Sequence, residues 1–264
     1  MLLTIASAGW GVASPALACL STRPDTVPPM SRCCSIVELR QYTLHPRQRD
    51  VLVELFEKEF VEPQRAAGAR VIGQFLDLDD PDRFVWLRGF DSMAARAISL
   101  ATFYEGPVWK ANRQAANATM LDSDNVLLLR PAGPDRGFEL ADPRRNAGVV
   151  TAMIHYVAPQ LLPGFVSFFD ARLRLMAQEW GVDVLASLVS EDSPNTFPRL
   201  PIRTGESVFV WFARFDDEPA QQSFGERFRS ASGWREAAPE TLLPAFMRKP
   251  EVLRLRPSRG SSLR

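Results

Sequence analysis

Apolar and polar positions alternate with a period of two from Ile36 to Thr43, putting Glu38, Arg40 and Tyr42 on one face and Val37 and Leu39 on the other, as in a strand. After His45-Pro46 the period changes. Leu52, Leu55, Phe56 and Phe60 recur at helical spacing with Glu54, Glu57 and Lys58 turned outward, which predicts a helix to about Ala67 stopped by Gly68. Val71 to Leu76 and Arg83 to Phe90 are β-rich, and the turn formers Asp79-Asp80-Pro81-Asp82 between them predict a hairpin. Asp91-Ser92 then caps a helix carrying Met93, Ala97 and Leu100, continued after Gly106-Pro107 by the segment that holds Trp109. Val126 to Arg130 is a fourth strand. The order β-α-β-β-α-β is the ferredoxin-like split unit, an antiparallel sheet with both helices on one face.

The pattern then occurs again. Phe84-Val85-Trp86-Leu87-Arg88-Gly89-Phe90-Asp91 returns as Phe209-Val210-Trp211-Phe212-Ala213-Arg214-Phe215-Asp216, every aromatic residue and the closing aspartate in register. Ile36 and Gly68 line up with Val149 and Gly181 at one offset, whereas Phe84 and Trp109 line up with Phe209 and Trp234 at a larger one. About a dozen residues are therefore inserted between Gly181 and Phe209, and Pro194, Pro198 and Pro201 place them in an irregular loop over Ser190 to Ser207. A repeat of this length is a domain rather than a solenoid unit. The expected organisation is an N-terminal extension (1–34), a first half (35–132), a linker (133–147), a second half (148–257) and a disordered tail (258–264). Each half leaves one sheet face uncovered, so the two should pack sheet to sheet within the chain, with all helices outside. The fold class is α+β: two tandem ferredoxin-like units fused as a dimeric α+β barrel, an intrachain pseudo-dimer with further oligomerisation left open.

Composition narrows the function. Of 264 residues 46% are hydrophobic, enough for one large core or two small ones, and 31 basic residues balance 31 acidic ones, so no general field draws nucleic acid or an acidic membrane. With two histidines, and three cysteines (Cys19, Cys33, Cys34) that all precede Ile36, neither a multi-ligand zinc site nor a disulfide framework for the core is expected. The sequence contains no phosphate-binding glycine loop, nucleophile elbow or dinucleotide fingerprint, and it implies no cofactor. Residues 1–22 are uncharged and Ala16-Leu17-Ala18 precedes Cys19 like a cleavage site, yet the basic n-region is missing. Translation from Met30 as a cytoplasmic protein, with Cys33 and Cys34 an inert pair, is the expectation.

The first half resembles the NIPSNAP family. Glu38-Leu39-Arg40-Gln41-Tyr42 is similar to that family's opening E-x-R-x-Y strand, followed in order by Gly68, Trp86, Phe90-Asp91-Ser92, Arg96 and Trp109. The second half is a degenerate copy, with Thr151, Met153 and His155 where Glu38, Arg40 and Tyr42 stand, and Asp217 for Ser92. The resemblance implies the dimeric α+β barrel, a superfamily that also holds cofactor-free monooxygenases, haem-degrading enzymes and lactone isomerases. It implies no reaction.

If the apolar faces of the strands meet the helices, Glu38, Arg40, Tyr42, Trp86 and Arg88 point into the barrel. There Arg40, Arg88 and Trp86 would bind a small anionic or aromatic ligand, while Tyr42 and Glu38 handle a proton and His155 reaches in from the second half. The plainer alternatives are an ion pair that only neutralises buried charge and a satisfied core histidine. Asp91 and Asp216 read as helix caps, and the tryptophans as core. Three functions stay open: a ligand-binding protein, a cofactor-independent monooxygenase or isomerase, and a structural module with a filled barrel.

Overall fold

The structure is a computed structural model and describes residues 32–139, 148–231, 236 and 238–264. The expectations for residues 1–29 and for Trp234 lie outside the described residues. The alternating stretch forms β2 (Ile36–Leu44), preceded by the two-residue β1 (Arg32–Cys33). Helix α1 (Arg49–Leu55) runs through a π-helical turn (Phe56–Phe60) into α2 (Val61–Ala66), and Gly68, at φ +94°, allows the left-handed exit that a side chain would oppose. Strands β3 (Arg70–Asp77) and β4 (Arg83–Phe90), helices α3 (Met93–Glu105) and α4 (Pro107–Asn117), and β5 (Met120–Pro131) complete the first half. After β6 (Phe138–Glu139) comes β7 (Val149–Tyr156), then α5 (Leu162–Phe168), a second π-helical turn (Phe169–Leu173) and α6 (Arg174–Glu179), ended by Gly181 at φ +79°. Strands β8 (Asp183–Ser190) and β9 (Val208–Phe215), helices α7 (Glu218–Ser230) and α8 (Leu243–Met247), and β10 (Glu251–Pro257) follow.

Eight strands close a barrel in the order β10-β3-β4-β2-β5-β8-β9-β7, and every pairing is antiparallel. The halves join edge to edge at two seams. At one, Leu129–Pro131 of β5 pairs with Ser190–Leu188 of β8; at the other, Leu255–Pro257 of β10 pairs with Asp77–Phe75 of β3. Closure removes the open edges that each half-sheet would otherwise present.

The barrel interior is apolar. Val37, Leu39, Val85, Leu87, Phe212 and Leu255 belong to one buried cluster built from both halves, which overturns the expectation that the polar face of β2 looks inward. An eight-stranded barrel is just wide enough for side chains to fill it, so the alternating apolar residues of both halves bury one another there. Glu38, Arg40, Tyr42, Trp86 and Arg88 consequently lie on the outer face, beneath the helices.

Segments read as unstructured also contribute. Arg32–Cys33 pairs with Phe138–Glu139 in a separate two-stranded sheet, and Cys33 and Cys34, both buried, are joined by a disulfide. The tail read as disordered packs instead: Leu263 joins the interior cluster, Ser258 N–H donates to the Gln74 carbonyl, Gln74 N–H donates to Ser261 Oγ, and Glu57 accepts from Ser258 Oγ and Gly260 N–H. Small polar residues give no periodic signal, but one buried leucine anchors them. Leu263→Ala should cost about 2 kcal/mol in urea denaturation, the low end for a buried leucine, and no loss would mean that the tail does not pack. Among the described residues no helix is long and apolar enough to cross a membrane.

Candidate functional site

Strand register brings the charges together. In the β2–β4 ladder Glu38 lies opposite Arg88, Arg40 opposite Trp86, and Tyr42 opposite Phe84. Arg96 comes from α3, whose start is set by Ser92 accepting from Ala95 N–H. Ser92, not Asp91, is therefore the cap, and Asp217 rather than Asp216 does the same for α7; Asp91 pairs with Arg70 and Asp216 with Arg214.

Three guanidiniums converge on one carboxylate. Arg40 Nη1 and Arg88 Nε donate to Glu38 Oε2 at 2.8 and 2.7 Å, and Arg96 Nε donates to Oε1 at 2.6 Å. Glu38, Arg88 and Arg96 are 0% exposed. Arg88 Nη1 also donates to Gln64 Oε1, and Arg40 Nε to Tyr42 Oη. The guanidiniums of Arg40 and Arg88 lie over aromatic faces, the first over Tyr42 and Trp86, the second over Trp86, Phe90 and Tyr104. Arg88 Nη2, Arg96 Nη2 and Trp86 Nε1 are buried without a hydrogen-bond partner.

Burial alone would raise the Glu38 pKa, but Arg88, Arg40 and Arg96 outweigh it and hold the carboxyl well below the usual range. Glu38 therefore stays ionised. Burial raises the Tyr42 pKa against the opposing pull of Arg40, so the phenol keeps its proton. Neither group is poised to exchange a proton near neutral pH, the role expected of both.

The inserted loop supplies the cover. Arg96 Nη1 donates to Asn195 Oδ1 and Thr196 Oγ1, and Phe197 stacks on Tyr104 with ring centroids 5.9 Å apart. These residues, together with Gln64, were not predicted. Arg96 had a signal, since it lies three residues from Met93 and four from Leu100 on the buried stripe of α3, where a charge needs a partner.

His155 is not part of this cluster. Its Nε2 accepts from Trp211 Nε1 at 3.3 Å and its ring packs near Phe165 and Phe209, in the helix-covered layer of the second half. Burial lowers its pKa from the ordinary 6.5 to about 4, so the imidazole is neutral at pH 7. Because the unfolded chain protonates first, the resulting stability is fully present above pH 6.5 and is lost as the pH falls toward about 4, by roughly 3 kcal/mol. Urea denaturation of His155→Leu should be flatter over that window than that of the native chain; equal slopes would show that His155 does not titrate this way. Among the described residues no group of three or more His, Cys, Asp or Glu side chains is placed to hold a metal ion.

Residues 37–133 match the NIPSNAP family model. Among solved structures, the chain is similar to a Lactobacillus acidophilus protein provisionally assigned as a monooxygenase, at 15% identity over 86% of this chain and 97% of that one, with a TM-score of 0.52. It is also similar to an anthrone oxidase-like protein, at 12% identity, 85% and 91% coverage, and a TM-score of 0.54. Both show a shared α+β barrel fold. A NIPSNAP-like domain protein of Burkholderia xenovorans is 26% identical over 42% of this chain and 97% of its own, with a TM-score of 0.36. No curated protein matches the chain.

Proposed function

We propose, starting from the NIPSNAP domain that residues 37–133 form, that this protein binds a small anionic ligand between the sheet and the helices of that domain. Arg40, Arg88 and Arg96 hold the anion, Trp86 and Tyr42 wall it, and Glu38 fixes the guanidiniums in place. One observation supports the reading: three buried guanidiniums share a single carboxylate, with Arg88 Nη2, Arg96 Nη2 and Trp86 Nε1 unpartnered among them. Buried charge is tolerated when it is paired, and an incoming anion would pair the surplus. The oxidation chemistry in the neighbours' names finds no proton carrier in this cluster, since Glu38 stays ionised and Tyr42 protonated. Binding without proton transfer is the function the geometry supports.

Thermal and urea stability with sulfate, malonate and benzoate tests it. A true ligand at a hundred times its Kd should add about 2.7 kcal/mol. Arg40→Met should abolish that gain while costing no more than about 1–2 kcal/mol of basal stability, because Glu38 keeps Arg88 and Arg96 and the chief loss is the donor to the Tyr42 hydroxyl. The proposal fails if none of these anions stabilises the native chain. It also fails if Arg40→Met costs about 3–5 kcal/mol on its own, the mark of a purely structural pair.

A further inference from the structure

The second half keeps the framework of this site and has lost its charges. In the β7–β9 ladder Thr151 lies opposite Ala213 and Met153 opposite Trp211, matching Glu38 with Arg88 and Arg40 with Trp86. Gln221 on α7 stands where Arg96 stands on α3, and Ala177 where Gln64 stands. Every charged residue of the first network is thus replaced by an uncharged one. The covering loop has no counterpart either, since only the short turn 78–82 joins β3 to β4. A cavity of about 380 Å³ opens between β7, α7 and the segment entering β10.

The lining of this cavity has a definite polarity. Its walls are Met153, Phe228, Phe246 and Val252, the buried neutral His155 adds no charge, and the exposed Arg229, Arg248 and Lys249 complete it. Among the described lining residues none is acidic. The volume falls in the range of small-molecule sites, roughly 300–1,000 Å³.

We propose that this cavity binds a free amphiphilic carboxylate of the fatty-acid class. Its chain lies against Met153, Phe228 and Phe246, and its carboxylate meets Lys249 and Arg248, whose guanidinium lies over the Tyr156 ring 3.5 Å from the centroid. A neutral apolar ligand would not draw on the charge of Arg248 and Lys249, and a cationic one would be repelled by it. Burying the chain supplies affinity in proportion to its length, and the cations set the sign of the head group. This site differs from the guanidinium cluster in position and in ligand.

Isothermal titration calorimetry of the full chain with octanoate, decanoate and decanol tests the assignment. Affinity should rise about fourfold for each methylene added between octanoate and decanoate. Gly225 lines the cavity, and among the described residues a Cβ added there meets only Arg229 Nη1, at 3.3 Å. Gly225→Leu places in the cavity the residue that Leu100 provides at the equivalent position of α3, and leucine favours a helix over glycine. That variant should weaken decanoate binding at least about tenfold without lowering the melting temperature. Arg248→Gln with Lys249→Gln should weaken decanoate about tenfold and leave decanol unchanged. Saturating malonate, which probes the first-half cluster, should leave decanoate affinity within about twofold. Unchanged decanoate binding in Gly225→Leu, decanol binding as tightly as decanoate, or displacement of decanoate by malonate would each overturn the assignment, and the first two results leave anion binding in the first half untouched.

Discussion

Glu38→Gln should destabilise the protein by about 3–5 kcal/mol, the largest effect expected of any single polar substitution in this fold. The change keeps the shape of the side chain and removes its charge, so Arg40, Arg88 and Arg96 stay buried with no counter-ion among the described residues. The asymmetry with Arg40→Met is instructive: removing one of three cations leaves Glu38 paired, whereas removing the one anion leaves three cations unpaired. Because the guanidiniums hold the Glu38 pKa below the ordinary carboxylate range, its contribution is complete above that range and is lost only as the pH falls through the lowered value. Urea denaturation at pH 7 measures the loss directly. A variant as stable as the native chain would mean that the cluster holds another counter-ion. Combining Glu38→Thr, Arg40→Met, Arg88→Ala and Arg96→Gln copies the second half's residues and should recover most of the loss, since those positions then carry no charge.

Phe212→Ala should cost about 3–5 kcal/mol as well, for a different reason. Phe212 is 0% exposed, belongs to the interior cluster, and meets Phe138 edge to face with centroids 5.0 Å apart. A closed barrel cannot collapse around a deleted ring, because its circumference is fixed by strand pairing, so the void persists. A loss under about 1 kcal/mol would show that the interior has room to spare, as a ligand chamber would.

Both helix-ending glycines and the main strands and helices could be read from residue pattern alone, because each has a local cause. The direction of the sheet faces could not. Alternation shows that Glu38, Arg40 and Tyr42 share a face, but both faces of β2 are buried, so hydrophobicity does not say which one turns inward. What decides is the partner: Gln64 and Arg96 on the helices satisfy the charged face, and of these only Arg96 leaves a local mark, a charge on the buried stripe of its helix. His155 followed the same error, since its expected position assumed that the two halves share an interior polar space. Asn195 and Thr196 were hidden because a proline-rich insertion reads as loop whether or not it covers anything.

The two seams also fix an order of events during synthesis. As the first half leaves the ribosome, β3 still lacks β10 and β5 still lacks β8, so both outer edges can pair with a neighbouring nascent chain. Arg96 reaches its full set of partners only after Thr196 has been made, and the ring of strands closes only when Pro257 emerges. The interval of exposure therefore spans the synthesis of the second half. A stall or truncation within the second half leaves a sticky half-ring rather than a smaller stable protein, which makes chaperone demand and sensitivity to truncation before β10 properties of the topology itself.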